Sequence, residues 1–238
     1  MNTKNEMKKW IISIAIVLLL SACVRGSGRL GTESRNVRNF DRVTLTGSGE
    51  VTLTQGETES LTIETDRNVM RYVTSEVRGG TLVLGTKIGA IVRPTWLRFT
   101  VSVKDVAGLT VSGSGDIVAE RVDTERLQIK VSGSGDLRID ALTAQEVAVR
   151  ISGSGDVELA GEVTEQEVTI SGSGKYRSGD LRSETVALTI SGAGDATLWT
   201  TESLDARLTG SGSASYYGNP RTDVSSSGSG KVKGLGDK

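Results

Sequence analysis

Histidine is absent from the 238-residue sequence, and cysteine occurs only once. Histidine is the commonest general base and the commonest protein ligand of transition metals, so either kind of site would need other residues. A single cysteine cannot form an intramolecular disulfide, which leaves the fold to its packed core. Aromatic residues make up 4% of the chain, so few side chains are available to stack on a sugar. These absences argue against several classes of enzyme.

Neither sign of charge dominates, because 28 Lys and Arg stand against 29 Asp and Glu. Proteins that bind nucleic acid usually carry an excess of positive charge, so we expect no nucleic-acid partner. Two segments, Gly172 to Lys175 and Gly228 to Lys231, look superficially like a phosphate-binding loop. Both lack the upstream glycine and the Ser or Thr after the lysine that such a loop requires. We therefore expect no cofactor.

The first residues have the pattern of an export signal. Three lysines precede an apolar run from Trp10 to Leu20, which is shorter than the roughly 20 residues of a membrane span. The run ends in Leu20-Ser21-Ala22-Cys23, which resembles the bacterial lipobox. We predict a signal peptide over residues 1–22 and lipidation of Cys23 as the new N-terminus. A transmembrane anchor with a coincidental cysteine is the alternative.

The residues after Cys23 bear on location. Val24 stands where an aspartate would favour retention in the inner membrane of enteric-type bacteria. We therefore predict a membrane-anchored lipoprotein of the cell envelope, in the outer membrane, on its periplasmic face or its surface. Residues 23–36 are mostly polar, which predicts a tether between the anchor and the folded part.

A motif of the type Ser-Gly-Ser-Gly-Asp recurs every 18–20 residues in the second half of the chain. Its copies begin at Ser112, Ser132, Ser152, Ser171, Ser191, Thr209 and Ser227, with an isolated early copy at Thr46. Around each copy apolar and polar residues alternate, which is the pattern of a β-strand with one buried face. The motif glycines share the parity of the apolar residues. We interpret both as facing inward, and the serines and charged residues as facing outward.

One period is too short to bury its apolar face alone, so successive periods must stack with their backbones paired at about 4.8 Å. The sequence therefore predicts an all-β fold, a right-handed parallel β-helix (β-solenoid) with about 18–20 residues per coil. An antiparallel barrel or sandwich is the alternative. A propeller would need roughly 40 residues per blade.

The solenoid prediction sets boundaries within the head domain, which would span residues 37–238. Residues 37–107 are strand-rich but irregular and should form the first coils, and residues 108–238 should form the regular ones. Stacking in register should also align residues that lie one period apart. Three residues expected in one inward column, with parallel pairing, are Ile129, Val149 and Val168.

Several stretches outside the repeat follow one another in a characteristic order. They are Phe40 to Gly49, Glu50 to Gly56, Gly79 to Leu84, Val101 to Lys104 and Leu109 to Asp116, followed by the later Gly-Ser-Gly copies. In this order they resemble the head GIN domain family of autotransporter adhesins, which is common in bacterial lipoproteins. The resemblance covers nearly all of the chain after Cys23. It implies a β-solenoid on the cell envelope, and it supplies no catalytic residues.

The residue after each motif forms an outward column with chemical potential. In chain order this column is Glu50, Asp116, Asp136, Asp156, Lys175, Asp195, Ser213 and Lys231. In register, Asp116, Asp136 and Asp156 would form a ladder of like charges, which repel one another. Calcium could neutralise such a ladder with oxygen ligands. We favour the simpler interpretation, a solvated stripe with Lys175 as counter-charge, and expect no metal site.

Other candidates for a binding surface have simpler explanations. The motif serines could present hydroxyls to a sugar, but small side chains also suit a bend. The stretch from Lys87 to Trp96 breaks the regular pattern and is the place for a specialised loop. Trp199 and the pair Tyr216-Tyr217 could face outward, although local packing is the expectation we favour.

These observations predict a non-enzymatic binding module, adhesin-like or structural, with a glycan or an envelope protein as ligand. The membrane would be its other partner, through the lipid anchor. Two alternatives remain open: a carbohydrate-active solenoid enzyme of the polysaccharide lyase or hydrolase type, and an envelope sensor or scaffold. Such enzymes usually break the coil with long loops, for which the evenly spaced repeat has no room.

Overall fold

The computed structural model describes residues 24–88 and 90–238. Within these residues the chain forms eighteen β-strands and one short 3-10 helix, Met70–Tyr72, and no α-helix. The strands are β1 (Val24–Arg25), β2 (Leu30–Arg35), β3 (Arg42–Gly47), β4 (Glu50–Gln55), β5 (Ser60–Asp66), β6 (Val73–Arg78), β7 (Thr81–Thr86), β8 (Val92–Arg93), β9 (Leu97–Val103), β10 (Gly108–Gly113), β11 (Asp116–Val131), β12 (Leu137–Ile151), β13 (Val157–Ile170), β14 (Lys175–Ile190), β15 (Asp195–Leu208), β16 (Ala214–Tyr217), β17 (Arg221–Ser226) and β18 (Val232–Gly234). In this part of the chain no helix is long and apolar enough to cross a membrane. The predicted signal peptide, 1–22, and Cys23 lie outside the described residues.

The strands form a β-solenoid of about six turns, as the repeat predicts. Each of the long strands β11 to β15 pairs in parallel with the next one along the chain. Ile129 pairs with Val149 and Val149 with Val168, and all three side chains are buried. The predicted inward column is therefore confirmed. Each such aliphatic side chain, when fully buried, contributes about 1.5–3 kcal/mol to stability.

Differences in coil length are absorbed by local irregularities in the pairing. Between β12 and β13 the register changes from a 20-residue offset at Ile139 to a 19-residue offset at Leu142. Gly161, which pairs with Leu142, has a φ of +127°, a backbone conformation that favours glycine. A Cβ at Gly161 would also lie 2.1 Å from the carbonyl oxygen of Leu142. The shorter coil thus depends on a glycine outside the motif.

The motif glycines stack directly on one another from coil to coil. A Cβ added to Gly153 would lie 2.0 Å from the carbonyl oxygen of Gly133, and one added to Gly133 would lie 2.1 Å from that of Gly113. We expected a side chain at these positions to point into the interior or to strain the bend. The structure shows that it would instead strike the backbone of the preceding coil. The glycines are required by the stacking of the corners along the axis.

The first coils are irregular, as predicted, and they close one end of the solenoid with antiparallel strands. In the sheet β3 lies between β10 and β7, and β7 then pairs antiparallel with β6. On the neighbouring face the order is β11, β4, β9, β5 and β2, and β5 pairs antiparallel with both β9 and β2. A reversed strand at the end of the stack prevents the addition of a further parallel coil.

The prediction of a polar tether over residues 23–36 is wrong for the strands in this segment. β2 pairs antiparallel with β5 along its whole length, and β1 pairs in parallel with β8. Most β2 side chains are exposed, so their polarity indicates an outermost strand and not a flexible linker. Backbone hydrogen bonds hold this strand to the antiparallel end of the solenoid.

Candidate functional site

The aspartates of the outward column accept hydrogen bonds from the backbone of the following coil. In each bond a backbone amide donates to a carboxylate Oδ1 one coil earlier. The bonds run from the Asp136 amide to Asp116 (2.9 Å), from the Asp156 amide to Asp136 (2.8 Å), from the Lys175 amide to Asp156 (2.8 Å) and from the Ser213 amide to Asp195 (3.1 Å). Each carboxylate thus satisfies an amide at the corner of the next coil. The ion pair of Asp156 is with Arg177, at 2.9 Å, and not with Lys175 as expected. The column has a structural role.

The serines of the motif are exposed on the same corner. The backbone amide of Ser134 donates to the carbonyl oxygen of Gly113 at 2.9 Å, and that of Ser154 donates to the carbonyl oxygen of Gly133 at 2.8 Å. Within the described residues their hydroxyls make no hydrogen bond to protein, so the backbone alone accounts for their contribution to the stack. The corner is small, regular and fully used by the solenoid itself.

A buried polar group that was not predicted from the sequence lies inside the coils. Gln166 stands in the apolar column between Val147 and Val186. Its Oε1 accepts from the Tyr176 hydroxyl at 2.7 Å, and its Nε2 donates to Ser183 Oγ at 2.9 Å. Burial raises the pKa of the Tyr176 hydroxyl, which therefore stays protonated. A polar residue at an inward position was the available signal, but the group is sealed from solvent and serves packing.

The aromatic residues near the other end are engaged within the protein. Trp199 and Tyr217 are half-buried, and the Lys238 ammonium lies 5.3 Å from the centre of each ring. The same ammonium donates to the carbonyl oxygen of Gly179 and to the carboxylate of Asp180. This cation–π contact agrees with the local packing that we favoured for these aromatics.

The least regular corner lies at the antiparallel end. Between β3 and β4 two residues turn the corner, whereas ten residues, 87–96, connect β7 to β9 in the adjacent, outermost coil. The stretch from Lys87 to Trp96, where the sequence predicts a specialised loop, is therefore the long connection at this corner. The loop is therefore an enlarged version of the Gly-Ser-Gly corner, placed where no further coil stacks upon it.

A single buried carboxylate holds this loop to the residues at the start of the described chain. Asp66 is fully buried, and its Oδ1 accepts from the Gly28 amide at 2.6 Å and the Thr95 hydroxyl at 2.8 Å. Its Oδ2 accepts from the Thr95 amide at 2.7 Å. Burial acts to raise the pKa of Asp66, but hydrogen bonds from Thr95, Gly28 and Trp96 outweigh it and lower the pKa below its ordinary value. A Cβ at Gly26 would lie 2.2 Å from Oδ2, so the close approach requires glycine there.

The first described residues lie directly on the enlarged loop. The Val24 amide donates to the Ile91 carbonyl at 2.8 Å, and the Gly26 amide donates to the Arg93 carbonyl at 2.9 Å. Asn68 adds two bonds to this segment: its Oδ1 accepts from the Ser27 amide, and its Nδ2 donates to the Arg25 carbonyl. Three segments therefore meet at this end of the solenoid. We call them together the N-terminal end surface, which consists of residues 24–32, 66–72, 87–88 and 90–98.

The match to known proteins extends over most of the chain. A family model described as "Putative auto-transporter adhesin, head GIN domain" matches residues 39–220. The chain belongs to this family. Membership confirms the resemblance drawn from the repeat and the stretches before it, and it agrees with an adhesin-like function.

Solved structures of related proteins have the same fold. A "putative adhesin" of Bacteroides fragilis is 29% identical, with a TM-score of 0.83, over 89% of this chain and 100% of that one. A "putative adhesin" of Parabacteroides merdae is 24% identical, with a TM-score of 0.75, over 90% and 99%. A "putative lipid binding protein" of Parabacteroides distasonis is 23% identical, with a TM-score of 0.77, over 90% and 99%. The chain has no significant match among curated proteins.

Proposed function

We propose that this protein is a lipid-anchored, adhesin-like binding module of the cell envelope, attached through Cys23 and not an enzyme. The observation that carries the proposal is the position of Val24, the residue after the predicted lipidation site. Its amide is bonded to the enlarged loop at one end of a rigid stack. An anchor at Cys23 would therefore hold the solenoid by that end.

The ligand we propose is a glycan or another envelope protein, bound along the exposed faces of the coils. Parallel coils place equivalent outward side chains at the spacing of paired strands, about 4.8 Å. Such rows suit an extended partner with repeated polar groups. The carboxylates of the corner column are held by backbone amides of the next coil, an arrangement that favours structure over catalysis. We place the protein at the outer membrane, because Val24 follows the cysteine.

The anchor can be tested by replacing Cys23 with Ser and labelling cells with palmitate. Cys23 is the only cysteine, so we expect the label and the tight membrane association to disappear together. Ser213→Ala, far along the chain, is the control and should keep both. Palmitate label and tight membrane association that persist in the Cys23→Ser variant would contradict a lipid anchor.

The binding function can be tested with the processed lipoprotein in detergent, screened against envelope polysaccharides and solubilised envelope proteins. We expect saturable binding of at least one of them without any change in the ligand. Shortening of a polysaccharide, measured by release of reducing ends or unsaturated sugars, would instead support the carbohydrate-active alternative. An absence of binding across both sets would contradict the proposed function.

A further inference from the structure

The N-terminal end surface is strongly basic, although the chain as a whole is nearly neutral. Its three segments carry seven cationic side chains and one carboxylate. The carboxylate is Asp66, which is buried and satisfied by hydrogen bonds. The remaining described part of the chain has the opposite balance, with 27 carboxylates against 18 cations. Among the described residues, Arg98 is the one cation of the seven in an ion pair, with Glu50 at 3.2 Å.

The same surface exposes large apolar side chains. Six such side chains are exposed in the described residues, and four of them belong to it. These four are Leu30 (45% exposed), Ile88 (104%), Ile91 (47%) and Trp96 (41%). Ile88 and Ile91 lie in the enlarged loop, and Trp96 is its last residue. The Arg98 guanidinium carbon lies 4.7 Å from the centre of the Trp96 ring. Apolar groups that project from a basic surface indicate contact with something other than water.

The proposed lipidation site, Cys23, points to a membrane as that partner. The Val24 amide is bonded to the Ile91 carbonyl, and Cys23 precedes Val24 in the sequence, so a lipid on Cys23 would be attached next to a residue that contacts the loop. A surface that combines Lys and Arg with Trp and aliphatic side chains is typical of proteins that lie in the membrane interface. We propose that the N-terminal end surface docks on anionic lipid headgroups, with Ile88, Ile91 and Trp96 inserted into the interface. This proposal depends on the lipid anchor proposed above.

Docking would fix the orientation of the head, because an acyl anchor alone leaves a tethered domain free to tilt. Each Lys or Arg near an anionic surface strengthens association by about 1 kcal/mol, or roughly fivefold in the docked population. The effect falls off within a Debye length, about 8 Å at physiological ionic strength. The contribution of these charges should therefore depend on salt.

The test uses the processed lipoprotein reconstituted into vesicles that contain brominated lipids. In a Trp199→Phe background, Trp96 is the tryptophan that remains after signal-peptide removal. We expect strong quenching of Trp96 in vesicles rich in phosphatidylglycerol. In phosphatidylcholine vesicles, or at high salt, we expect quenching to fall several-fold although the protein stays anchored.

Charge and apolar variants have matched controls at the opposite end. Lys87→Gln with Arg93→Gln should reduce the docked fraction in anionic vesicles by about 25-fold, and Lys231→Gln with Lys233→Gln should leave it unchanged. Likewise Ile88→Ser with Ile91→Ser should reduce quenching, whereas Val224→Ser with Leu235→Ser should not. All of these side chains are exposed, so the fold should survive each change.

Two failures can be told apart in the same preparation. Mass spectrometry that finds no acyl chains on Cys23 overturns the anchor and this proposal together. An acylated, vesicle-bound protein whose Trp96 is not quenched overturns the docking proposal alone. Cross-links that join two copies through Ile88 or Trp96, with no quenching, would show that a second copy covers this surface, and would also overturn docking on lipid.

Discussion

Replacing Gly153 with Ala tests the glycine stack at its centre. The added Cβ would lie 2.0 Å from the carbonyl oxygen of Gly133, whereas ordinary van der Waals contact begins near 3.4 Å. The obstructing atom is backbone, so it cannot rotate away as a side chain would. That same oxygen accepts the amides of Ser154 and Gly155, at 2.8 and 3.1 Å. Separation of the two coils by more than about 1 Å at the corner would therefore weaken both bonds.

The expected cost follows from these contacts. Overpacking of a close-packed region costs about 1–3 kcal/mol, and each weakened hydrogen bond costs about 0.5–1.5 kcal/mol. We therefore expect Gly153→Ala to lower the free energy of unfolding by about 4 kcal/mol. For a chain of this size, that corresponds to a fall in Tm of roughly 10 °C. Gly153→Val should be worse, because the larger side chain needs still more room.

Thermal and urea denaturation of the purified protein measures the effect. Ser154→Ala is the neighbouring control and should change stability by less than about 0.5 kcal/mol. Gly47→Ala is the matched glycine control: nothing lies within 4 Å of its Cβ, so it should cost only about 1 kcal/mol for its φ of +92°. Gly228→Ala, near the far end, should disturb only the last coil. A loss below 1 kcal/mol at Gly153, or an equal loss at Ser154, would refute the reasoning.

Three further predictions concern polar side chains. Asp136→Ala removes the acceptor of the Asp156 amide and should cost about 1 kcal/mol in urea denaturation. Tyr176→Phe leaves Gln166 Oε1 without its strong donor and should cost about 1–3 kcal/mol by the same measurement. Burial raises the Tyr176 pKa above its ordinary 10.0, so the unfolded chain loses this proton at a lower pH than the folded protein does. The contribution of Tyr176 to the free energy of unfolding should therefore be fully present below pH 10 and decrease as the pH rises above it. Asp66→Ala should release the start of the described chain, seen as faster amide hydrogen exchange there, while the long strands stay protected. The lowered pKa of Asp66 means that its stabilisation is present above its ordinary value of 3.8 and is lost as the pH falls through the lower folded value.

Each of these predictions has a control and a contradicting result. Asp136→Asn keeps an oxygen acceptor and should be milder than Asp136→Ala, so equal losses would argue against the hydrogen bond. Tyr72, at the antiparallel end, provides the Tyr→Phe control. Ionisation of Tyr176 at its ordinary pKa of 10.0 would contradict its burial. Unchanged exchange at the Gly28 and Thr95 amides in Asp66→Ala would show that other contacts hold that segment.

The repeated part of the fold could be predicted because stacking leaves a direct trace in the sequence. Ile129, Val149 and Val168 occupy equivalent places, and each must be apolar when two coils cover it. The column of aspartates was located correctly as well. Its spacing suggested repulsion, since the sequence does not show that each carboxylate receives an amide from the next coil.

The end of the solenoid was harder to predict. The strand from Leu30 to Arg35 contains mainly polar residues, and its backbone pairing with β5 holds it in place. Patterns of side chains do not report backbone hydrogen bonds on an outermost strand. Asp66 shows the same limit, because its donors lie 38 residues earlier, at Gly28, and 29 residues later, at Thr95. Only the folded chain brings these groups together.

The glycine stack has a consequence for the length of the molecule. Every corner from Gly113 to Gly228 rests on the one before it through the same backbone contact. A duplicated or deleted coil would therefore meet the same backbone contact at its motif corner on each side. Each such event would move the far tip by one strand spacing, about 4.8 Å. A change in the number of coils would thus alter the length of the solenoid in fixed increments, while its antiparallel end stays the same.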